Sequence, residues 1–208
     1  MKTPPLVDAH GRTINYLRLS VTDRCNLRCR YCMPAEGIAK RDHHEILTFE
    51  DLYEIAECAT SLGVRKIRVT GGEPLVRKGI LAFLQRLSNL PGLDELVLTT
   101  NGTLLPGMAE DLRAVGVRRL NISLDSLRPE TFSSITRKDN LEDVLSGIEA
   151  ARRCDLPVKV NTVVMGGVND DEILDFVRLT LDQQISVRFI EYMPVMKTPG
   201  WQDLLIPG

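Results

Sequence analysis

The chain of 208 residues is 43% hydrophobic and 26% charged, the make-up of a globular protein long enough to bury one sizeable core. A formal net charge of −2 and a pI near 6.0 exclude a sequence-wide basic field of the kind that holds nucleic acid or acidic membrane, so any anion site must be local. The opening stretch from Met1 to Arg12 has no apolar run and no later stretch reaches bilayer-spanning length, so neither a signal peptide nor a membrane anchor is expected and the cytoplasm is the default location.

Short β-branched runs alternate with helical patterns along the chain. The first strand is expected over 16–20, "YLRLS", and leads through "VTDR" into three cysteines within eight positions, "CNLRCRYC". A helix over 49–62 opens on a capping-box pattern, Thr48 with Asp51, and stops before Gly63. Then come a strand over 66–69, a helix over 79–87, a strand over 95–99 and a helix over 107–115 that stops before Gly116. A strand over 118–123 follows, then a helix over 141–154 that opens on a related pattern, Asn140 with Asp143. The last three elements are a strand over 157–163, a helix over 171–183 and a strand over 186–190. Two strand entries look alike, "GVRKIRVT" at 63–70 and "GVRRLNIS" at 116–123, which hints at a repeated βα unit. Successive crossover units of this length predict an α/β fold with a parallel sheet, either doubly wound or curled into a barrel; periodicity does not separate the two.

A parallel strand covered on both faces should be apolar throughout. Several of these strands are not: Arg18, Arg68, Asn121, Ser123, Lys159, Asn161 and Arg188 interrupt them. Unpaired cations in a dry interior cost several kcal/mol each, so a shared wet cavity is the cheaper arrangement. Period-2 alternation can place Arg18, Arg68, Lys159 and Arg188 on one face, where they would suit a polyanion such as a triphosphate or diphosphate. Structural pairing with Glu191 or Asp125 is the competing explanation.

Five cysteines, an odd number in a chain with no sign of export, favour thiolate or metal chemistry over disulfides. Cys25, Cys29 and Cys32 are spaced C-x3-C-x2-C, and a closed zinc site would want a fourth ligand that the neighbourhood lacks. His43 and His44 sit in a charged loop and read as solvated. Three thiolates on a four-iron cluster leave one iron open, where a small molecule can bind. Cys58 and Cys154, each on a helix, read as core thiols.

That cysteine spacing after a first strand, with Tyr31 before the last cysteine and "GGEP" at 71–74 after a second strand, resembles the radical S-adenosylmethionine (SAM) superfamily. The resemblance implies a partial (β/α)6 TIM-like barrel, one [4Fe-4S] cluster on Cys25, Cys29 and Cys32, and S-adenosylmethionine chelating the open iron. It also implies reductive cleavage of the sulfonium to a 5′-deoxyadenosyl radical. "LRLSVTDRCNLRCRYCMP", "IRVTGGEPLVR", "LTTNG", "NISLDS", "VKVNTV", "GVND" and "RFIEYMP" are together similar to one branch, the GTP 3′,8-cyclases of molybdenum cofactor biosynthesis. Carried over by motif, Tyr31, Gly72, Ser123 and Met193 would contact S-adenosylmethionine, with Gly71 and Gly72 allowing close backbone approach to its ammonium. Arg18, Arg68, Thr99 and Lys159 would meet GTP, while Arg188 takes no role from the branch. The implied reaction abstracts the ribose 3′ hydrogen of GTP and joins the 3′ carbon to C8 of guanine. The implied pathway partner is a cyclic pyranopterin monophosphate synthase; the electron donor is unknown, and a homodimer is compatible with the sequence.

Members of that branch continue into a C-terminal segment with a second three-cysteine cluster, whereas here the expected partial barrel occupies 1–193 and a truncated or divergent tail 194–208. The expectation is therefore that S-adenosylmethionine binding survives better than GTP cyclisation. The alternatives are a cluster- and S-adenosylmethionine-binding fragment without cyclase activity, another radical enzyme with an anionic substrate, and a zinc-binding structural module.

Overall fold

The computed structural model describes residues 6–38, 45–193 and 200–206. His43 and His44, and most of the tail after Met193, lie outside the described residues. The elements run β1 (Tyr16–Ser20), α1 (Phe49–Ser61), β2 (Lys66–Thr70), α2 (Ile80–Ser88), β3 (Glu95–Thr100), α3 (Ala109–Ala114), β4 (Arg119–Ser123), α4 (Pro129–Thr136), α5 (Leu141–Arg153), β5 (Val158–Val164), α6 (Ile173–Asp182) and β6 (Ile185–Glu191). Strand order in the sheet is β1-β2-β3-β4-β5-β6. The chain forms two compact units, Met1–Cys25, Lys40–Thr100 and Glu110–Leu120 in the first, Asn26–Ala39, Asn101–Ala109 and Asn121–Gly208 in the second.

In the first unit β1 pairs parallel with β2, and β2 with β3, in a register that sets Tyr16 beside Lys66, Arg18 beside Arg68 and Lys66 beside Glu95. Side chains alternate across a strand, so one face carries the buried Leu19, Ile67, Val69, Leu96 and Leu98. Helix α1 buries Leu52, Ala56 and Thr60, a four-residue spacing that makes one stripe, and α2 buries Ile80, Phe83, Leu84 and Leu87. Phe49 stacks on Phe83 at 4.5 Å between ring centroids. Each such side chain contributes about 1.5–3 kcal/mol by leaving water. The opposite face carries Arg18, exposed, and Lys66, Arg68 and Thr99, half-buried, around a buried Val97.

The helix ends obey local rules. Thr48 Oγ1 accepts the Asp51 N–H at 3.1 Å while Asp51 Oδ2 accepts the Thr48 N–H at 2.8 Å, so the expected capping box forms. Asn140 departs from its expected role: it makes no capping bond with its side chain. Gly63 and Gly116 both take positive φ, at 102° and 94°. The next residue repeats the same contact, with the Val64 N–H bonded to Ala59 O and the Val117 N–H to Leu112 O. The repeated sequence is thus a repeated turn feeding β2 and β4.

In the second unit β5 pairs parallel with β6, setting Lys159 beside Ser186 and Asn161 beside Arg188. Val158, Val160, Thr162 and Val164 are buried, and the alternate Lys159, Asn161 and Val163 are half-buried. Helix α5 buries Leu141, Val144, Gly147, Ile148, Ala150 and Ala151. A Cβ on Gly147 would lie 2.5 Å from Gly102 O, so the helix approaches that loop only because it carries glycine there. Phe176 of α6 meets Phe189 of β6 edge-on at 6.4 Å.

Two expected helices begin differently: the one over 107–115 divides into a 3-10 turn, Leu105–Gly107, and α3, and the one over 171–183 opens with a 3-10 turn, Asp170–Glu172, before α6. Cys58 is exposed and Cys154 half-buried, not core thiols; two residues past Ala56, Cys58 points away from the buried stripe of α1. Among the described residues no helix is long and apolar enough to cross a membrane.

Candidate functional site

The cysteine loop leaves β1 and is held along its length. In the first unit, the Gly72 N–H donates to Thr22 O at 2.6 Å and the Glu73 N–H to Arg24 O at 2.7 Å, tying the loop after β2 to the residues that precede Cys25. A Cβ on Gly71 would lie 2.5 Å from Thr22 O, and one on Gly72 would lie 2.3 Å from Arg24 O. Both glycines are therefore required by backbone packing of this chain on itself, a demand the sequence motif alone does not reveal. The buried Glu73 completes the corner by accepting the Leu75 N–H at 3.0 Å and the Thr100 hydroxyl at 2.8 Å.

In the second unit the Cys32 N–H bonds Cys29 O at 2.9 Å, so these two cysteines share one turn. The Arg28 and Arg30 N–H groups donate to Thr136 O and Ile135 O at the end of α4. Arg137, left-handed at φ 57°, sends Nη1 to Arg28 O at 2.9 Å and to Met33 O at 3.1 Å. Between the two cysteines, Tyr31 packs against a small buried cluster of Ile135, Met165 and Tyr192, and its hydroxyl donates to Asp125 Oδ2 at 2.7 Å.

Asp125 follows β4 and is buried, with the Val163 N–H on its other oxygen at 2.8 Å. Burial pushes its carboxyl up to about 6, against the smaller opposing pull of the Val163 and Tyr31 donors. Burial also raises the Tyr31 phenol well above its ordinary value, with Asp125 adding to the rise. The neighbouring Asn169 is the hub's second member: Nδ2 donates to Asp125 O at 2.6 Å and Val163 O at 2.9 Å, and Oδ1 accepts the Met165 N–H at 2.8 Å. Glu172, also buried, accepts the Ser126 hydroxyl and the Leu127 N–H, both at 2.7 Å.

Within each unit two of the strand cations share a face. Arg18 and Arg68 are register partners on the polar face of the first unit, with Thr99 on the same face of β3. Tyr16 lies beneath Lys66 and Arg68, 5.8 Å and 5.3 Å from its ring centroid. Glu95 takes two other cations, Lys66 at 2.6 Å and Arg119 at 3.1 Å. In the second unit Lys159 and Arg188 share one face of β5 and β6. Ser123 is half-buried at the end of β4, Gly72 exposed, and Met193 68% exposed beyond β6.

Cys25, Cys29 and Cys32 are in no disulfide. Burial raises the Cys32 thiol, so metal binding there must also release its proton. Among the described residues no group of three or more His, Cys, Asp or Glu is gathered as a metal site. The donor chemistry nevertheless fits: three thiols outside any disulfide, soft ligands of the kind that hold iron and sulfide.

A family model described as "Radical SAM superfamily" matches residues 19–180. A GTP 3′,8-cyclase of Geobacter sulfurreducens is 62% identical over 204 residues, covering 98% of this chain and 63% of that protein. A GTP 3′,8-cyclase of Peptoclostridium acidaminophilum is 60% identical, covering 91% of this chain and 58% of that protein. The chain therefore spans about three-fifths of the length of the curated relatives it matches. Among solved structures, Streptococcus suis SuiB bound to S-adenosylmethionine superposes with a TM-score of 0.74 over 91% of this chain and 43% of that one, at 18% identity, a likeness of fold alone. The strand order, the cysteine loop after β1 and the family match across most of its length place this chain in the radical SAM superfamily.

Proposed function

We propose that this chain is the radical-generating and substrate-gripping part of a GTP 3′,8-cyclase. The observation that carries the reading is the 62% identity to a protein of that name, sustained over 204 residues. In this reading Cys25, Cys29 and Cys32 hold a [4Fe-4S] cluster, and Tyr31, Gly72, Ser123 and Met193 contact S-adenosylmethionine. Bound there, the pair supplies one-electron cleavage of the sulfonium and a carbon radical able to take hydrogen from a sugar. The chain's own residues bind, orient and keep water away.

Arg18, Arg68, Thr99 and Lys159 would meet GTP, as the matching motifs imply. Arg18 and Arg68 stand in register on adjacent strands, a spacing suited to neighbouring phosphate oxygens of one nucleotide. Guanidinium and ammonium groups on rigid strands lose less freedom on gripping an anion than they would on loops. Arg188, exposed on the same face as Lys159, would add to that grip.

The test is anaerobic reconstitution with iron and sulfide, then addition of S-adenosylmethionine and a strong reductant, with 5′-deoxyadenosine quantified with and without GTP. Release stimulated by GTP, with a cyclised nucleotide beside it, supports the reading. Release indifferent to GTP overturns the substrate assignment and leaves the radical machinery. No release from a fully loaded cluster overturns both.

A further inference from the structure

The sequence assigns a role to Tyr31 but none to the buried carboxylate that holds it. We infer that Asp125 is a positioning residue: through the Tyr31 hydroxyl it fixes the Cys29–Cys32 turn, so that two of the three cluster thiols are pre-set before iron arrives. The inference rests on the radical SAM reading of the cysteines and deepens it.

The geometry is a three-way brace within the second unit. Asp125 Oδ2 takes the Tyr31 hydroxyl, Oδ1 takes the Val163 N–H, and the Asp125 carbonyl takes Asn169 Nδ2. The carboxylate therefore cannot swing without abandoning the strand end of β5, and Tyr31 cannot swing without abandoning a buried acceptor. On either side of Tyr31 the backbone is pinned at Arg28, Arg30 and Met33 by Thr136, Ile135 and Arg137. Those flanking bonds fix where the turn sits. Its rotation about its own axis is left to the Tyr31 ring, whose far end Asp125 holds.

A packing tyrosine needs no hydroxyl, since phenylalanine fills the same apolar cluster. The hydroxyl here is spent on one 2.7 Å bond to a carboxylate that the fold has buried at a cost in charge desolvation. One oxygen of that carboxylate holds the Val163 N–H, and the other is spent on setting the direction of the ring.

Thiol reactivity in the protein without cluster tests this directly, with Cys58, exposed on α1, as the internal reference. Iodoacetamide labelling of folded, reduced protein, read peptide by peptide, gives relative rates at Cys29, Cys32 and Cys58. Tyr31→Phe and Asp125→Ala are expected to raise the Cys29 rate relative to Cys58 by about fivefold, the population shift that follows loss of one typical hydrogen bond. Asp125→Asn should stay near the wild-type rate, because its amide oxygen can keep the Val163 N–H while its NH2 donates to the Tyr31 oxygen. If Asp125→Ala speeds all three thiols together it has loosened the fold, and Tyr31→Phe, which removes one oxygen, then decides. Equal Cys29 rates in Tyr31→Phe and wild type overturn the inference.

In reconstituted protein, the paramagnetic signal of the reduced cluster, taken with and without S-adenosylmethionine, should broaden in Tyr31→Phe and Asp125→Ala and be restored in Asp125→Asn. Signals unchanged in all three variants also overturn it. Failure of wild-type protein to bind iron and sulfide at all would instead count against the radical SAM reading of the cysteines, so the two failures are distinguishable.

Discussion

Replacing Gly72 with alanine should destabilise the protein before any cofactor is considered. The added Cβ would lie 2.3 Å from Arg24 O, 2.6 Å from Arg24 C and 2.8 Å from Asp23 O, all backbone atoms that no rotamer change can move. Relief requires the two loops to part by on the order of 1 Å. Overpacking of this kind costs about 1–3 kcal/mol. The parting also stretches two short backbone bonds, Gly72 N–H to Thr22 O and Glu73 N–H to Arg24 O, at about 1 kcal/mol each. The sum is about 3–5 kcal/mol, a large share of the roughly 5–15 kcal/mol that holds a domain folded. Urea unfolding of the cluster-free protein, checked for an unchanged m-value, measures it, and the melting temperature should fall by about 10 °C. Gly107→Ala is the control, because a Cβ there meets nothing within 4 Å. If Gly72→Ala unfolds within about 0.5 kcal/mol of wild type, the close approach is not a constraint and the reasoning from packing fails.

Three further outcomes can be measured. The Asp125 carboxyl sits at about 6 in the folded chain and near 3.9 unfolded, so the folded state holds the proton longer and this group's contribution falls as pH rises from about 4 to 6. Unfolding free energy across that window should therefore decline more in wild type than in Asp125→Asn, by about 2–3 kcal/mol, and parallel profiles would contradict the assignment. Asn169→Ala removes three hydrogen bonds at a site 2% exposed and should cost about 3 kcal/mol, with amide exchange faster at Met165, whose N–H loses its acceptor. Arg68→Ala and Lys159→Ala should each raise the apparent KM for GTP by about tenfold or more, with a shallower dependence on salt.

Much of this architecture could be read from residue order, and the failures share a cause. The strand expected over 16–20 is found as Tyr16–Ser20, because alternation and β-branching are local properties. The cations at Arg18 and Arg68 were legible for the same reason: period 2 decides their face, and the register confirms it. Helix α4, Pro129–Thr136, went unseen because "PETFSSIT" offers only Phe132 and Ile135 to a core, though proline at its first position was a usable signal. The polar hub was the larger omission. Asp125, Asn169, Glu73 and Glu172 look like ordinary turn and surface residues, and their burial depends on partners tens of residues away. "NISLDS", "GVND" and "IRVTGGEPLVR" carry Asp125, Asn169 and Glu73, but motif likeness names no bond, and Glu172 lies in none of the motifs. The glycines of "GGEP" were given to the ligand, while their tightest neighbours are Thr22 and Arg24 of the chain itself.

The pairing of each strand with its neighbour in sequence has a kinetic consequence. Tyr16 must wait roughly 50 residues for Lys66, whereas Lys66 meets Glu95, and Val158 meets Ile185, after roughly 30 or fewer. The longer loop costs only about 0.5 kcal/mol more to close, so no pairing is a severe bottleneck. A chain emerging from the ribosome can close each crossover as soon as its second strand appears, without holding an early strand unpaired until the end of synthesis. Of these pairings, β1 with β2 waits longest, and β1 is the strand that leads into the cysteines. The thiols of the cluster loop are thus made early and anchored late, leaving them open to oxidation during synthesis for longer than a finished molecule would suggest.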